Sequence, residues 1–499
     1  MTGRTSRRRW YSSMGAAAAA AAMAAAVILS APPAAVAAGD DAESALVTMT
    51  PELAKKVQNH VESFRARYGI SGMSVAVVTP DPGDPTGTTP VVTTFSVGTP
   101  SLDSAEPVTA STQFEIASET KIFTADLLAH LVATGAVSLD DRVQQFAPPG
   151  VTVPVWTDPE TGETTHITLR DLATHQAGLT DLPGNFADGC GNDLDCANWR
   201  PGYTRTMLWD SLASGSLLWK PGTDWLYSNW GFGLLGTVLA DIVDPSVPVE
   251  EPPAYQAALE STFLGALGMT STVLGTGPAI ATPYTSENAP TFYWDDTNAL
   301  AGEGGLVSTA TDMSTFVAAH LGYLPQDAPA GVRTMADTLK PVSAITTVCS
   351  EPGSCQASDF RMGLGWQLHS ASASDMGTEW AFKNGGTAGF ASDTVLAPAK
   401  GVGVTTMWNQ NRVGSAEPGI ELLGLILHEK PAPRPDHGGG EHGGGEHGRD
   451  EHDRGAEHDE ARLADTGQAT SPVGWRAAGA AGLLLLGAAL VARRRRNAL

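Results

Sequence analysis

Residues 113–122 read Gln-Phe-Glu-Ile-Ala-Ser-Glu-Thr-Lys-Ile, and within them a strand-like segment gives way to a helix. Apolar residues then recur at helical spacing as far as Gly135. Ser118 therefore lies at a helix N-terminus, where the peptide dipoles stabilise negative charge forming on its oxygen. Lys121, three residues later, lies on the same helix face. The pair predicts a serine nucleophile with a lysine partner, provided that burial lowers the pKa of the lysine.

The Ser-x-x-Lys pattern is weak alone, because it also fits a helix-capping serine followed by a surface lysine. A second polar cluster, Tyr227-Ser228-Asn229, lies in a loop before an apolar helix. Tyr227 is predicted to be partly ionised or hydrogen-bonded to Ser118, and to return a proton to the leaving group. Asn229 is predicted to bind a substrate carbonyl or amide. The alternative for this cluster is a core tyrosine with a capping asparagine.

The third cluster, residues 383–386, is predicted to run along the start of a strand. Lys383 would attract an anionic substrate group and keep the catalytic lysine or tyrosine deprotonated. The backbone N–H groups of Ser118 and Gly386 would form an oxyanion hole, in which one donor is typically worth about 3–4 kcal/mol. The predicted substrate-binding residues are Asn229, Lys383, Asn384, Gly385 and Gly386.

The order of elements predicts the fold independently of these clusters. Strands are predicted near residues 72–78 and 91–97, and strands return from about Glu379 onward. The segment from 118 to about 320 between them is predicted to be mostly helical. Strands at both ends of a helical middle indicate an α/β sheet domain with an inserted helical lobe, and a cleft between the two as the site.

The three clusters together resemble the penicillin-recognising serine hydrolases, in the branch of D-alanyl-D-alanine carboxypeptidases, class C β-lactamases, esterases and D-amino-acid peptidases. The resemblance covers about residues 50–410 and includes residues 167–179, 301–309 and 363–366. It implies a β-lactamase-like fold, in which helices flank an antiparallel sheet and an all-helical lobe is inserted, without cofactor or metal. It implies that Ser118 is the nucleophile, Lys121 its partner and Tyr227 the general acid and base.

Two departures from this family affect the expected substrate. Members that bind a free C-terminal carboxylate carry threonine hydroxyls where this chain has Asn384 and Gly386, and no arginine lies between Trp366 and Lys383. Peptidoglycan D-Ala-D-Ala peptides remain the expected substrate. The alternatives are an esterase or D-aminopeptidase acting on a small acyl substrate, a class C-like β-lactamase, and a catalytically silent wall-binding protein. By the same resemblance, His175 and Asp171 order the loop beside the cleft.

Both ends of the chain indicate export. Residues 1–38 are typical of a signal peptide, and their arginines leave the general secretory and twin-arginine routes open. Residues 463–467, a following apolar run and four arginines resemble a sortase sorting signal of the Leu-Ala-x-Thr-Gly type. That resemblance implies a sortase as partner, cleavage between Thr466 and Gly467, only transient membrane contact, and anchorage to a Gram-positive cell wall. An ordinary membrane anchor is the alternative, although the run is short for one.

Four cysteines also fit an exported protein. Cys190 and Cys196 share a Gly/Asp/Asn-rich stretch, and Cys349 and Cys355 flank a Glu-Pro-Gly turn. Four thiols allow three pairings, and the equal local spacing favours 190–196 and 349–355. Each disulfide would constrain the unfolded chain by roughly 2–3 kcal/mol. Zinc binding is the competing interpretation, but no histidine neighbours either pair.

The sequence thus divides into a signal peptide (1–38), a serine hydrolase domain (39–430), a linker (431–462) and a sorting signal (463–499). The linker repeats His, Gly and acidic residues, so that no core can form in it. It is interpreted as a charged spacer, with weak zinc or nickel binding by its histidines as the alternative. A net charge of −24 argues against a nucleic-acid partner.

Overall fold

The computed structural model describes residues 46–429 except 85, 187–201, 295–296, 326, 352–353 and 412–416. The predicted signal peptide, linker and sorting signal, with Thr466 and Gly467, lie outside the described residues, and so do Cys190 and Cys196. The remainder of the predicted hydrolase domain is built around an eight-stranded antiparallel sheet.

The strands, in chain order, are β1 (Gly72–Pro80), β2 (Pro90–Gly98), β3 (Gln113–Glu115), β4 (Val155–Thr157), β5 (Thr164–His166), β6 (Val273–Leu274), β7 (Leu306–Thr309), β8 (Ser343–Glu351), β9 (Ser354–Met362), β10 (Gln367–His369), β11 (Trp380–Gly386), β12 (Ala391–Ala397) and β13 (Val402–Trp408). The main sheet runs in the order β2-β1-β13-β12-β11-β10-β9-β8. Two smaller sheets, β3-β7-β6 and β4-β5, lie outside it.

The helices of the described residues are α1 (Pro51–Tyr68), α2 (Thr120–Ala133), α3 (Leu169–Ala173), α4 (Arg205–Ser214), α5 (Asn229–Val243), α6 (Tyr255–Leu259), α7 (Gly265–Leu267), α8 (Ala301–Gly304), α9 (Ala310–His320), α10 (Ala330–Arg333) and α11 (Pro418–Leu427). None of them is long and apolar enough to cross a bilayer.

Helices cover both faces of the sheet, which explains why all nine residues of β1 are buried. On one face, apolar side chains of α1 and α11 pack together over the central strands. The Thr50 hydroxyl caps α1, and Gly69, in the left-handed region at φ 63°, ends it. On the other face, α9 packs against β1 and β13 and joins the core of the helical lobe, through which α2 passes.

The predicted fold class is confirmed: helices flank an antiparallel sheet whose strands come from both ends of the domain, and the helical lobe is inserted between them. Two predictions about the later strands are wrong. Strands return at Ser343 rather than near Glu379, because the β8–β9 hairpin is polar and largely exposed along β9 and shows no apolar alternation. Residues 383–386 end β11 rather than begin a strand.

Cys349 and Cys355 lie directly opposite each other in the β8–β9 hairpin. They form a disulfide with a Cα–Cα distance of 4.0 Å. The hairpin in turn holds Trp225, whose backbone N–H donates to the Thr347 carbonyl and whose carbonyl accepts from the Cys349 N–H. This covalently closed hairpin therefore supports the segment that leads into Tyr227.

Candidate active site

A sharp turn between β3 and α2 presents Ser118. Ala117, immediately before it, has φ 47°, a left-handed conformation that is unusual for a residue with a side chain. The turn is fixed on both sides, because the Ile116 N–H donates to Leu306 and the Ile116 carbonyl accepts from the Ser392 hydroxyl. Ser118 is half-buried in a short 3₁₀ turn that runs into α2.

The Lys121 ammonium is buried and faces four oxygen acceptors. Its Nζ lies 3.0 Å from Ser118 Oγ and 2.6 Å from Asn229 Oδ1. It lies 2.9 Å from Glu303 Oε2 and 2.5 Å from the Glu303 carbonyl oxygen. An ammonium has three hydrogens, so these acceptors fully occupy it. The serine and lysine predicted as partners are therefore in direct contact.

The protonation of Lys121 differs from the prediction. Burial lowers its pKa, but the negative charge of Glu303, together with Tyr227, raises it more, so the pKa of Lys121 lies above its ordinary value. Burial of the Glu303 carboxyl raises the pKa of that group as well. The four oxygen acceptors around Nζ favour the ion pair over the neutral pair. The prediction that burial would lower the pKa of Lys121 is wrong, because a carboxylate distant in sequence compensates for burial.

Tyr227 lies beside both members of the pair, with Lys121 Nζ 4.9 Å from the centroid of its ring and its phenol within interaction range of Ser118. Burial raises the pKa of its phenol, and the positive charge of Lys121 offsets this only in part. Tyr227 is therefore a neutral phenol at neutral pH. Of the two states predicted for Tyr227, partial ionisation is wrong, and a hydrogen bond to Ser118 agrees with the effect of Ser118 on the pKa of the phenol. The prediction that Lys383 keeps Lys121 or Tyr227 deprotonated is also wrong.

His175 positions the tyrosine ring. Its imidazole stacks on the ring of Tyr227 with the centroids 4.5 Å apart and the planes at 29°. Burial and the two nearby lysines hold the pKa of His175 well below its usual range. The ring is therefore a neutral imidazole, and its Nδ1 accepts a hydrogen bond from the Ser228 N–H at 3.0 Å. The predicted ordering role of His175 agrees with these contacts. Asp171 forms a capping box with Thr168 at the start of α3.

Asn229 begins α5, and both ends of its amide have partners. The oxygen accepts from Lys121, and Nδ2 donates to Asp181 Oδ1 at 3.0 Å. The backbone N–H of Asn229 also faces Asp181 Oδ1, at 3.3 Å. Asp181 thus fixes the orientation in which the Asn229 oxygen faces the lysine. The second hydrogen on Nδ2 is the one with which Asn229 can bind a substrate carbonyl.

Lys383 is a weaker cation than the sequence predicted. Its side chain is buried midway along β11, and burial together with the charge of Lys121 lowers its pKa to about 7, against opposing effects of Glu119, Glu303 and Glu417. Its ammonium donates to the carbonyl of Asn384. Its Nζ lies 5.5 Å from the centroid of the Tyr227 ring. At neutral pH the site therefore holds Lys383 about half in its uncharged form.

The end of β11 lies against the nucleophile turn, and only glycine fits there. A Cβ on Gly385 would lie 2.1 Å from the Ile116 carbonyl oxygen and 3.0 Å from the Ser118 nitrogen. Asn384 is half-buried and Gly386 is exposed at the strand end beside Ser118. The predicted residues 383–386 thus lie next to Ser118, as an oxyanion hole built from Ser118 and Gly386 requires. That role of the two N–H groups stays a prediction.

The structure therefore brings together Ser118, Lys121, Tyr227, Asn229 and residues 383–386. Sequence reasoning missed Glu303 and Asp181. Glu303 lies in the segment 301–309 that carries part of the family resemblance, and it is the acidic residue among the small residues 301–305. An acidic residue in such a run could have indicated a functional role. Asp181 carried no such signal. No group of three or more His, Cys, Asp or Glu side chains suited to a metal occurs in the part of the chain that the structure describes.

The model of the Beta-lactamase family matches residues 57–427. D-alanyl-D-alanine-carboxypeptidase/endopeptidase AmpH of Escherichia coli (strain K12) is 28% identical over 294 residues, which cover 58% of this chain and 68% of that protein. A Beta-lactamase of Yersinia enterocolitica is 24% identical over 399 residues, covering 72% and 87%.

A crystal structure of a beta-lactamase/D-alanine carboxypeptidase from Yersinia pestis complexed with citrate has a TM-score of 0.59 at 21% identity. The alignment covers 76% of this chain and 99% of that one. A class C beta-lactamase in complex with cefoxitin has a TM-score of 0.57 at 21% identity, covering 75% and 98%. At these identities the likeness shows a shared fold.

Proposed function

Since this chain belongs to the Beta-lactamase family, we propose that it is a serine hydrolase that forms an acyl-enzyme on Ser118. The observation that carries the proposal is the contact of Ser118 Oγ with Lys121 Nζ at 3.0 Å, with the centroid of the Tyr227 ring 4.9 Å from the same Nζ. A hydroxyl held by a lysine beside a phenol, at a helix start and near the exposed Gly386, is the arrangement that acyl transfer needs.

In the first step, Ser118 Oγ bonds to the substrate acyl carbon and its proton passes into the buried cluster of Lys121, Tyr227 and Glu303. The oxyanion is stabilised by the N–H groups of Ser118 and Gly386. The tetrahedral intermediate then breaks its bond to the leaving group, which takes a proton from the Tyr227 hydroxyl. Water attacks the resulting ester in the same way and releases the acyl product.

We propose peptidoglycan D-Ala-D-Ala peptides as the substrate, which makes the protein a carboxypeptidase. The carboxypeptidase activity in the name of the E. coli relative supports this choice. The proposed export and sortase anchorage at Thr466 also support it, because they would hold the enzyme beside that polymer. Replacing residues 463–467 should then release the protein from the wall fraction into the medium, whereas unchanged retention would remove the sorting signal from the proposal.

An esterase is the second candidate, because the site offers little positive charge for a substrate carboxylate. Lys121 is paired with Glu303 at 2.9 Å, and Lys383 has a pKa of about 7. Asn384 and Gly386 add no hydroxyl to bind such a carboxylate. An uncharged ester needs none of these groups.

Mass spectrometry of the purified protein distinguishes these readings. Incubation with a fluorescent penicillin should add one covalent label, Ser118→Ala should abolish it, and exposed Ser111→Ala should leave it unchanged. Labelling that survives Ser118→Ala would remove Ser118 from its role. Release of D-Ala from diacetyl-Lys-D-Ala-D-Ala supports the carboxypeptidase, whereas turnover of p-nitrophenyl butyrate without D-Ala release supports the esterase. Rapid loss of the penicillin label identifies a β-lactamase.

A further inference from the structure

Glu303 is a buried carboxylate of the cluster that receives the Ser118 proton, and the steps above give it no separate role. It is 1% exposed on α8, which is held against α5 by a close approach of Gly302 to Gly236. Its Oε2 lies 2.9 Å from Lys121 Nζ. Its Oε1 is buried without a hydrogen-bond partner among the described residues. Burying a carboxylate with one oxygen unsatisfied is costly, so a role beyond packing is expected of it.

The site also lacks an obvious base. Lys121 is an ammonium whose hydrogens are occupied by oxygen acceptors, and Tyr227 is a neutral phenol because burial raises its pKa. Neither group has a free lone pair of the required basicity for the Ser118 proton. The Glu303 carboxylate is the group within hydrogen-bond distance of Lys121 that does.

We propose that Glu303 accepts the Ser118 proton through Lys121, so that the three residues act as a relay in acylation. Nζ of Lys121 passes one proton to Oε2 of Glu303. The lone pair thus freed on Nζ takes the Ser118 proton while Oγ bonds to the acyl carbon. Lys121 is again an ammonium, Glu303 is a neutral carboxylic acid, and the negative charge has moved to the oxyanion. This inference rests on the proposed function.

The relay resets when the leaving group departs. The leaving group takes the Tyr227 proton, Tyr227 recovers a proton from Lys121, and Lys121 recovers one from Glu303. Each proton that one group gives up is taken up by the next group, so no other reactant is needed. Deacylation repeats the sequence with water in place of Ser118.

The charges facing Glu303 fit this role. Burial raises the pKa of its carboxyl, the ammonium of Lys121 opposes this, Asp181 raises it further and Lys383 lowers it. The net rise makes Glu303 a better proton acceptor than an exposed glutamate. Once Glu303 is protonated it is neutral, so the buried site no longer holds the negative charge of its carboxylate.

The test compares Glu303→Gln, which keeps the size and an acceptor oxygen, with Glu303→Asp, which keeps the charge. Single-turnover acylation by a fluorescent penicillin is followed from pH 4 to 9. We expect Glu303→Gln to acylate about 100-fold or more slowly at unchanged penicillin affinity. Wild-type acylation should slow as Glu303 is protonated at low pH. In Glu303→Gln the limb set by Glu303 should be lost, and a different limb should appear at higher pH, where Lys121 loses its proton because its pKa falls without the neighbouring carboxylate.

Asp126→Asn is the matched control, since Asp126 is a buried carboxylate on α2 that contacts His320 rather than Ser118. It should keep the acid limb. A Glu303→Gln variant that acylates at the wild-type rate with the same limb overturns the relay. If near-ultraviolet circular dichroism shows that Glu303→Gln does not fold, Glu303→Asp decides: an acid limb that moves along the pH axis supports the relay, and a limb at the wild-type pH contradicts it.

Failure of the relay can be told from failure of the proposed function. Loss of labelling in Ser118→Ala, together with normal labelling in Glu303→Gln, rejects the relay alone. Absence of wild-type acylation by both penicillin and p-nitrophenyl butyrate rejects the proposed function, and the relay with it.

Discussion

Replacing Lys383 with methionine should change how the stability of the fold depends on pH. In the folded protein burial and Lys121 lower the pKa of Lys383 from 10.5 to about 7. A base whose pKa is lowered by folding binds its proton more tightly in the unfolded chain. Between pH 7 and 10.5 the unfolded state therefore holds more protons, and this lysine's contribution to the free energy of unfolding rises with pH.

The size of the effect follows from the pKa shift, since each unit corresponds to about 1.36 kcal/mol. Lys383 is 4% exposed, so solvent screening is small. Below pH 7 the full cost of burying the ammonium is present, and it disappears as pH rises through the window. Between pH 7 and 10, we expect the free energy of unfolding of the wild type to rise by about 4 kcal/mol relative to that of Lys383→Met.

Urea unfolding of both proteins, followed by circular dichroism from pH 6 to 10, measures this difference directly. Titrating groups that both proteins share cancel in the comparison. If the difference in unfolding free energy between the two proteins stays constant with pH, burial does not lower the pKa of Lys383. Lys383 would then be fully protonated at neutral pH. The accompanying kinetic result would be a KM for an anionic peptide that is independent of pH near 7, instead of one that rises with pH.

Two structural changes have further expected outcomes. Gly385→Ala would place a methyl group 2.1 Å from the Ile116 carbonyl oxygen, so acylation by penicillin should fall about 100-fold, whereas Gly386→Ala, whose nearest neighbour is 4.0 Å away, should fold normally by circular dichroism. Mutating Cys349 and Cys355 to serine should lower the free energy of unfolding by about 2–3 kcal/mol in urea; a smaller loss would mean that the hairpin stays closed without its disulfide.

The fold was predictable where local patterns decide it. The helix from Pro51 to Tyr68 has a capping threonine, a proline at its first position and a closing glycine, and the structure gives it those ends. The β8–β9 hairpin was not predictable, because its polar strands are held by pairing and by Trp225 rather than by an apolar alternation. Contacts between residues so far apart in the chain cannot be predicted from the local sequence pattern.

The same limit applies to the site. The clusters at Ser118, Tyr227 and Lys383 were predictable as a set, because each supplies a distinct chemical group. The protonation of Lys121 was not, since it depends on Glu303, which lies 182 residues away in sequence. A pKa is a property of the surroundings in space, and residue type and spacing leave those surroundings open.

The position of β13 has a consequence for how the enzyme becomes active. This strand, at residues 402–408, pairs on one side with β1 and on the other with β12, so one edge of the first strand made stays unpaired until the last strand emerges. Such long-range pairing closes late and slowly. If the chain leaves the cell in an extended form, it would therefore remain inactive during transit, and the site proposed around Ser118 would be complete only once translocation of the whole domain has finished.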